Sequence, residues 1–204
     1  KDAEWIFGNV TDVWIQSDRM KYYYDYAEKL IDKDAVYVCT CSQEEFKKYT
    51  ENMEECPCRN LGKKEQSSRW KKMFDKTQFK EGDGVLRFKA DMKHKNPAMR
   101  DFPLARINLT EHPLQKKKYR VWPLMNLCVA VDDILMNMTH IIRAKDHRDN
   151  ALRQKMIFDA LGKKFPWNAF LGRWNFKDLE LSTTKIRQGI EKGKYTGWDD
   201  VKLP

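Results

Sequence analysis

Two Cys-x-Cys pairs, Cys39-Thr40-Cys41 and Cys56-Pro57-Cys58, stand with fourteen residues between them. In an extended strand, residues two apart point to one side, so each pair is expected to present two thiolates together. Four convergent thiolates match tetrahedral Zn²⁺, and a site closed by four protein ligands is structural, not catalytic. The competing reading is two disulfides. Cys128 is left over in an apolar stretch and no secretory signal is visible, which argues against an oxidising compartment. Cys39, Cys41, Cys56 and Cys58 are therefore the expected zinc ligands.

At 204 residues the chain can bury one good core, or a core with a smaller appended module. Lys and Arg number 39 against 30 Asp and Glu, a net charge of +9. That balance fits a polyanion partner, nucleic acid being the commonest, and fits equally a basic chain without one. No apolar run approaches a membrane span and no signal peptide is seen, so the expected place is the cytoplasm, with no membrane partner. The first residue is Lys1, as in a processed chain or a fragment.

Along the chain, residues 9–16 read as a turn and short strand. Ser17 is expected to cap a helix to about Lys33 that buries Met20, Tyr23, Tyr24, Ala27, Leu30 and Ile31 on one face. A strand over 35–40 leads into Ser42-Gln43-Glu44-Glu45, a capping box that opens a second helix. Residues 59–66 read as a polar connector, followed by a helix over 68–76 with Trp70, Met73 and Phe74 inward. Residues 85–92 alternate as a strand after the turn signal of residues 81–84. A further strand over 119–123 precedes an apolar helix that ends near Asp132-Asp133. Adjacent carboxylates on a helix cannot share one site, so they are not an acid/base pair.

Arg87, Lys89, Arg100 and Arg106 are interleaved with Phe and Asp in strands and turns. Such a string can meet phosphates while its aromatics face unstacked bases, although each residue alone fits a solvated face. Residues 139–150, THIIRAKDHRDN, read as a short buried strand running into a helix with Leu152, Met156, Ile157, Ala160 and Leu161 inward. A strand with charge at its carboxyl end, followed by a helix, is where α/β sheets bind ligands. Arg143 there can clamp a carboxylate with two N–H groups, or pair with Asp146 or Asp149. In residues 181–200, LSTTKIRQGIEKGKYTGWDD, Ser182, Thr183, Thr184 and Lys185 precede a short helix that Gly193 is placed to end. Hydroxyls and an ammonium at a helix start suit a polyphosphate.

The order of these motifs resembles the archaeal-type glutamyl-tRNA synthetases of class I. T-H-I-I-R-A-K-D-H is similar to that family's T-H-x-x-R-G-K-D-H. S-T-T-K-I followed by G-W-D-D resembles its S-T-S-K-I and G-W-D-D-P-R, and residues 85–107 resemble its L-R-x-K-x-D-M, N-P-x-x-R-D and R-I. The resemblance implies an α/β fold, the C-terminal half of a Rossmann-type class I synthetase catalytic domain with an α+β zinc and acceptor-end insertion module. Residues 1–36 would end the first Rossmann half, residues 37–118 would form the insertion, and residues 119–204 the second half with its signature loop. The implied activity is glutamate–tRNA ligase: ATP-dependent activation of L-glutamate, then transfer to the tRNA 3′ end. Arg143 would hold the substrate carboxylate, with the residue at Met125 beside it. Asp146, Ser182, Thr183 and Lys185 would serve ATP with its Mg²⁺, Lys185 steadying charge on the pyrophosphate. Arg87, Lys89, Arg100 and Arg106 would meet the tRNA acceptor end.

The departures from the family are specific. Its P-T-Y-D-F is here Pro123-Leu124-Met125-Asn126-Leu127, so Met125 replaces a tyrosine that helps hold the amino acid. Ile134 stands for the histidine of D-D-H, and Ala144 for a glycine. The H-I-G-H motif and the anticodon-binding domains are not in these residues. The expectation is a central fragment of a ligase, inactive alone; the alternative is a divergent or split paralogue that binds tRNA through a zinc module without aminoacylation.

Overall fold

Residues 2–10, 12–172 and 182–202 are described by the computed structural model, which divides into compact units of residues 1–170 and 171–204. The alternation of one strand organises the first unit. In β1 (Val36–Cys39), Val36 and Val38 enter the main apolar core, while Tyr37 and Cys39 enter a second cluster with Phe46, Cys56 and Cys58. Successive side chains on a strand face opposite sides, so one four-residue strand serves both. It pairs antiparallel with β2 (Val85–Phe88), which pairs with β3 (Phe102–Ile107), and that with β4 (Val121–Pro123). The sheet order is therefore β1-β2-β3-β4, with a register shift between Leu86 and Arg87.

A short α1 (Asp2–Phe7) opens the chain, and α2 (Met20–Asp32) follows. The α2 helix buries Met20, Tyr23, Ala27, Leu30 and Ile31 as its apolar spacing requires. Its start differs from expectation. Arg19 is the N-cap, and Ser17 lies inside a 3₁₀ turn (Gln16–Asp18) with its buried hydroxyl unpartnered. Among the described strands none pairs with residues 12–15, and Trp14 lies 3.9 Å beneath the Arg19 guanidinium.

On the next stretch, α3 (Gln43–Asn52) carries the expected Ser42–Glu45 capping box. The following helix, α4 (Lys63–Phe74), begins five residues before the expected Ser68, because Gln66 in its charged first turns is an inward-facing residue only 1% exposed.

The apolar α5 (Met125–Leu135) does not stop at Asp132-Asp133 but runs through them. Asp132 accepts hydrogen bonds from Arg19 Nε (2.9 Å), Tyr23 Oη (2.7 Å) and Gln16 Nε2 (3.3 Å), tying the N-terminal segment to α5. Removing that carboxylate leaves a half-buried guanidinium and a buried phenol without their acceptor. Asp132→Ala is expected to cost about 3–5 kcal/mol of stability, read from urea unfolding, with Asp132→Asn milder. Equal stability of Asp132→Ala and the parent would show the network to be dispensable.

After α5 comes β5 (His140–Ala144), expected to be buried but alternately half-buried and exposed. Among the described strands its only partner is β6 (Trp167–Leu171), a strand the sequence pattern had not suggested. A 3₁₀ turn (Lys145–His147) and α6 (Arg148–Leu161) connect them. The buried face of α6 is Ala151, Gln154, Ile157 and Phe158, so Leu152, expected inward, is 46% exposed. The second unit contains α7 (Thr183–Glu191), followed by Gly193 at φ +71°. Gly189 is buried against Tyr195, where a Cβ would lie 2.6 Å from the ring.

Candidate functional site

The four expected metal ligands converge. The Sγ atoms of Cys39, Cys41, Cys56 and Cys58 all lie within 4.8 Å of one another, and none is in a disulfide. Cys39 and Cys56 are 3.8 Å apart, and Cys41 and Cys58 are 3.9 Å apart. A tetrahedron with Zn–S of about 2.3 Å has edges of about 3.8 Å, so these spacings fit the ion. The strand periodicity assumed above holds for neither pair: Cys39 ends β1, and Cys41 lies in the bend that follows it. The second pair is presented by a 3₁₀ turn (Pro57–Asn60) with Cys56 as its N-cap.

The surrounding hydrogen bonds orient the thiols. Buried Gln66 accepts from Val38 N (2.8 Å) and donates to Cys58 O (2.7 Å), joining β1 to the second cysteine turn. Cys58 Sγ accepts from Thr40 N (3.4 Å) and Arg69 Nη1 (3.3 Å). Burial opposes its ionisation, but the contacts from Thr40 and Arg69 outweigh that and hold its pKa below the ordinary thiol value. Tyr37 Oη donates to Asp101 (2.8 Å), and Asp101 also receives Ala90 N (2.7 Å) and the guanidinium of Arg59. Second-layer partners of this kind fix ligand geometry.

The four expected RNA-contacting cations are not equivalent. Lys89 pairs with Asp34 at 2.6 Å. Arg100 is 4% exposed and donates to the main-chain carbonyls of His94 and Thr50. Arg87 and Arg106 line one cavity of about 550 Å³ between α3 and the outer face of the sheet. Arg87 is held there with its guanidinium carbon 3.4 Å over the Phe46 ring.

Arg143 sits near the carboxyl end of β5, half-buried. Its ion-pair partner is Asp133 of α5, through Nη2 at 3.3 Å, rather than Asp146 or Asp149. Its Nη1 donates to Gln154 Oε1, and Gln154 Nε2 in turn donates to Asn126 Oδ1 at 3.3 Å. Burial pushes Asp133 up to about 6 against the pull of Arg143, and burial also lowers Arg143. The pair thus loses more by leaving water than it recovers from mutual attraction. Through Gln154 and Asn126 the guanidinium is linked to the first turn of α5, where Met125 is 44% exposed. Asp146 is exposed in the turn after β5.

In the second unit Ser182 is the N-cap of α7, its Oγ accepting from Lys185 N at 3.3 Å. Thr183 and Lys185 are exposed in the first turn of that helix. Leu181, the first residue of that motif, lies outside the described residues.

Across residues 1–204 the chain matches the model for tRNA synthetases class I (E and Q), catalytic domain. The chain belongs to that family. Among relatives of this synthetase family, a glutamate–tRNA ligase of Methanothermobacter thermautotrophicus is 46% identical over 202 residues, 99% of this chain and 36% of the relative. Those of Methanopyrus kandleri and Thermococcus kodakarensis are 43% and 42% identical, each across 100% of this chain and 35% of their own length. The chain therefore spans about a third of the length of the curated relatives it matches. A crystal structure of a glutamate tRNA ligase from Elizabethkingia meningosepticum, in complex with its amino acid, superposes with a TM-score of 0.52. It is 20% identical and covers 92% of this chain and 39% of that one. The fold is that of the class I synthetase catalytic domain. Among the described residues no helix is long and apolar enough to cross a membrane.

Sequence reasoning missed Gln66, Asp133, Gln154 and Asn126 as site-shaping residues. A glutamine recurring at an apolar helix position is a legible signal for Gln66 and Gln154. The partners of each are set by contacts distant in sequence, which no local pattern carries.

Proposed function

We propose that this chain is the central part of a glutamate–tRNA ligase that activates L-glutamate with ATP and transfers it to the 3′ end of tRNA. The observation that carries the reading is the end-to-end family match, joined to a half-buried arginine near the end of a strand and a lysine at a capped helix start. In this reading the guanidinium of Arg143, oriented by Asp133 and Gln154, holds the carboxylate of glutamate, with Met125 at its side. Ser182 and Thr183 shape the loop, Asp146 serves ATP, and Lys185 steadies the charge that gathers on pyrophosphate as it leaves. Mg²⁺ accompanies ATP and supplies further charge neutralisation when bound. Cys39, Cys41, Cys56 and Cys58 hold a structural Zn²⁺.

The same reading divides the chain functionally at residues 1–36, 37–118 and 119–204, and places the protein in the cytoplasm. It assigns RNA contact to the basic residues of the central segment, among which Arg87 and Arg106 line an open cavity. The paralogue reading, tRNA binding without aminoacylation, is favoured by Met125, which offers no hydroxyl at that exposed position, and by Ile134 in place of a histidine. The two are separated by exchange of pyrophosphate into ATP, which the complete polypeptide is expected to perform with tRNA and glutamate present. Absence of exchange, with tRNA binding intact, leaves the paralogue reading. Binding of tRNA is expected to weaken steeply with salt, because neutralising phosphates releases counterions. Affinity that stays flat between 50 and 200 mM salt, a range over which about six phosphate contacts would cost ~10³-fold, overturns the electrostatic part.

A further inference from the structure

The guanidinium of Arg143 and the carboxylate of Asp133 make a charge-neutral pair 3.3 Å apart, their side chains 11% and 15% exposed. Both Nη groups of Arg143 are engaged, Nη2 by Asp133 and Nη1 by Gln154. A substrate carboxylate that binds this arginine therefore brings a second negative charge to one cation. Two carboxylates sharing a half-buried site repel each other, and the weaker acid of the two takes a proton. Asp133 is that weaker acid. Burial pushes it up to about 6 against the pull of Arg143, with a lesser push from Asp132, whereas a glutamate side chain in water titrates at about 4.3.

Solvent can deliver that proton. Asp133 lines a cavity of about 530 Å³ whose walls also carry His140, Lys163 and Lys164, all exposed. Among the described residues neither lysine forms an ion pair with it; its ion-pair partner is Arg143. From α6, Phe158 faces this cavity and Gln154 meets Arg143, and neither carries charge. On α5 itself, Asp132 is committed to Arg19 and Tyr23.

We propose that Asp133 positions Arg143 in the free protein and takes up one proton from solvent as the glutamate carboxylate binds, so that substrate binding and protonation are one event. The charges balance: guanidinium and carboxylate before binding; guanidinium, substrate carboxylate and a neutral carboxylic acid after it. No covalent bond other than that to the proton forms or breaks. The proposal rests on the glutamate reading of Arg143 given above and adds the residue that makes room for the incoming charge. Its pH dependence follows from linkage. Below about 6, Asp133 is already protonated and glutamate affinity is level with pH. Above that, each binding event must recruit a proton, and affinity falls as pH rises, by up to about tenfold per pH unit.

The test is calorimetry of glutamate binding to the complete zinc-loaded polypeptide with tRNA present, at about pH 7.5 in two buffers of different ionisation enthalpy. The parent is expected to take up nearly one proton per glutamate bound. Asp133→Asn keeps the shape of the side chain but cannot titrate, and is expected to abolish the uptake and flatten the dependence of affinity on pH. His140→Gln removes the other group of that cavity that titrates near neutrality, and is expected to leave the uptake in place. A merely structural role for Asp133 would weaken binding without changing the proton count. A parent that binds glutamate with no proton uptake, or an Asp133→Asn variant that keeps it, overturns the proposal and leaves the glutamate reading standing. A parent that binds no glutamate at any pH overturns that reading, and the proposal with it. Where Asp133→Asn does not fold, the proton counts of the parent and of His140→Gln decide: uptake kept in both supports Asp133, and uptake lost with His140 overturns it.

Discussion

Elemental analysis of the purified chain is expected to return about one zinc per molecule, and Cys58→Ser to return almost none. The expected effect is large because residues 40–62 have little else to hold them. Their apolar cluster is Tyr37, Cys39, Phe46, Cys56 and Cys58, with Cys41 and Tyr49 at its edge. So small a core does not offset the conformational entropy of ordering that many residues, about 1–2 kcal/mol each for the backbone alone. A structural zinc contributes about 10–16 kcal/mol in comparable small sites, and that free energy is folding free energy. Chelation at neutral pH should therefore release this segment to rapid amide exchange while the Leu30, Val36, Leu86 and Leu127 core stays protected. Because the ligands bind as thiolates, metal retention should fall with acidification. Zinc-free protein with four titratable thiols and undiminished protection over residues 40–62 would falsify the assignment.

The second large effect concerns Lys185. In the complete polypeptide, Lys185→Ala is expected to slow pyrophosphate exchange by ~10²–10³, the usual consequence of removing one charge from a developing anion. Ser182→Ala should act differently. It removes the Oγ that caps α7 and costs about 1 kcal/mol of local helix stability, with a smaller loss of rate. An unaltered rate in Lys185→Ala, with glutamate and ATP saturating, means that the lysine has another role.

Much of the local structure was legible. The spacing of Met20, Tyr23, Ala27, Leu30 and Ile31 specified α2 and its buried face, and Ser42 with Glu45 specified the start of α3. Both rest on contacts within one or two helical turns. Failures occurred where a neighbour distant in sequence competes with local preference. Ser17 looks like a cap, but Arg19 takes the cap position as it reaches Asp132, more than a hundred residues away. Leu152 looks like a core residue, but α6 turns Ala151, Gln154, Ile157 and Phe158 inward, with Ile157 and Phe158 in the main core, and Leu152 is left on the outer side.

By itself the sequence determined which groups are available: four thiols in two closely spaced pairs, an arginine ending a strand, and hydroxyls with a lysine at a helix start. Those are short-range properties, set by spacing along the chain and the capping preferences of a helix. Only the tertiary structure decided which of these groups face each other and which cations remain open to a ligand. Arg87 and Arg100 read alike along the chain, yet one lines a cavity with a donor unused and the other is consumed by backbone carbonyls. The difference arises because burial and hydrogen-bond satisfaction are settled by segments brought together only when the whole core closes.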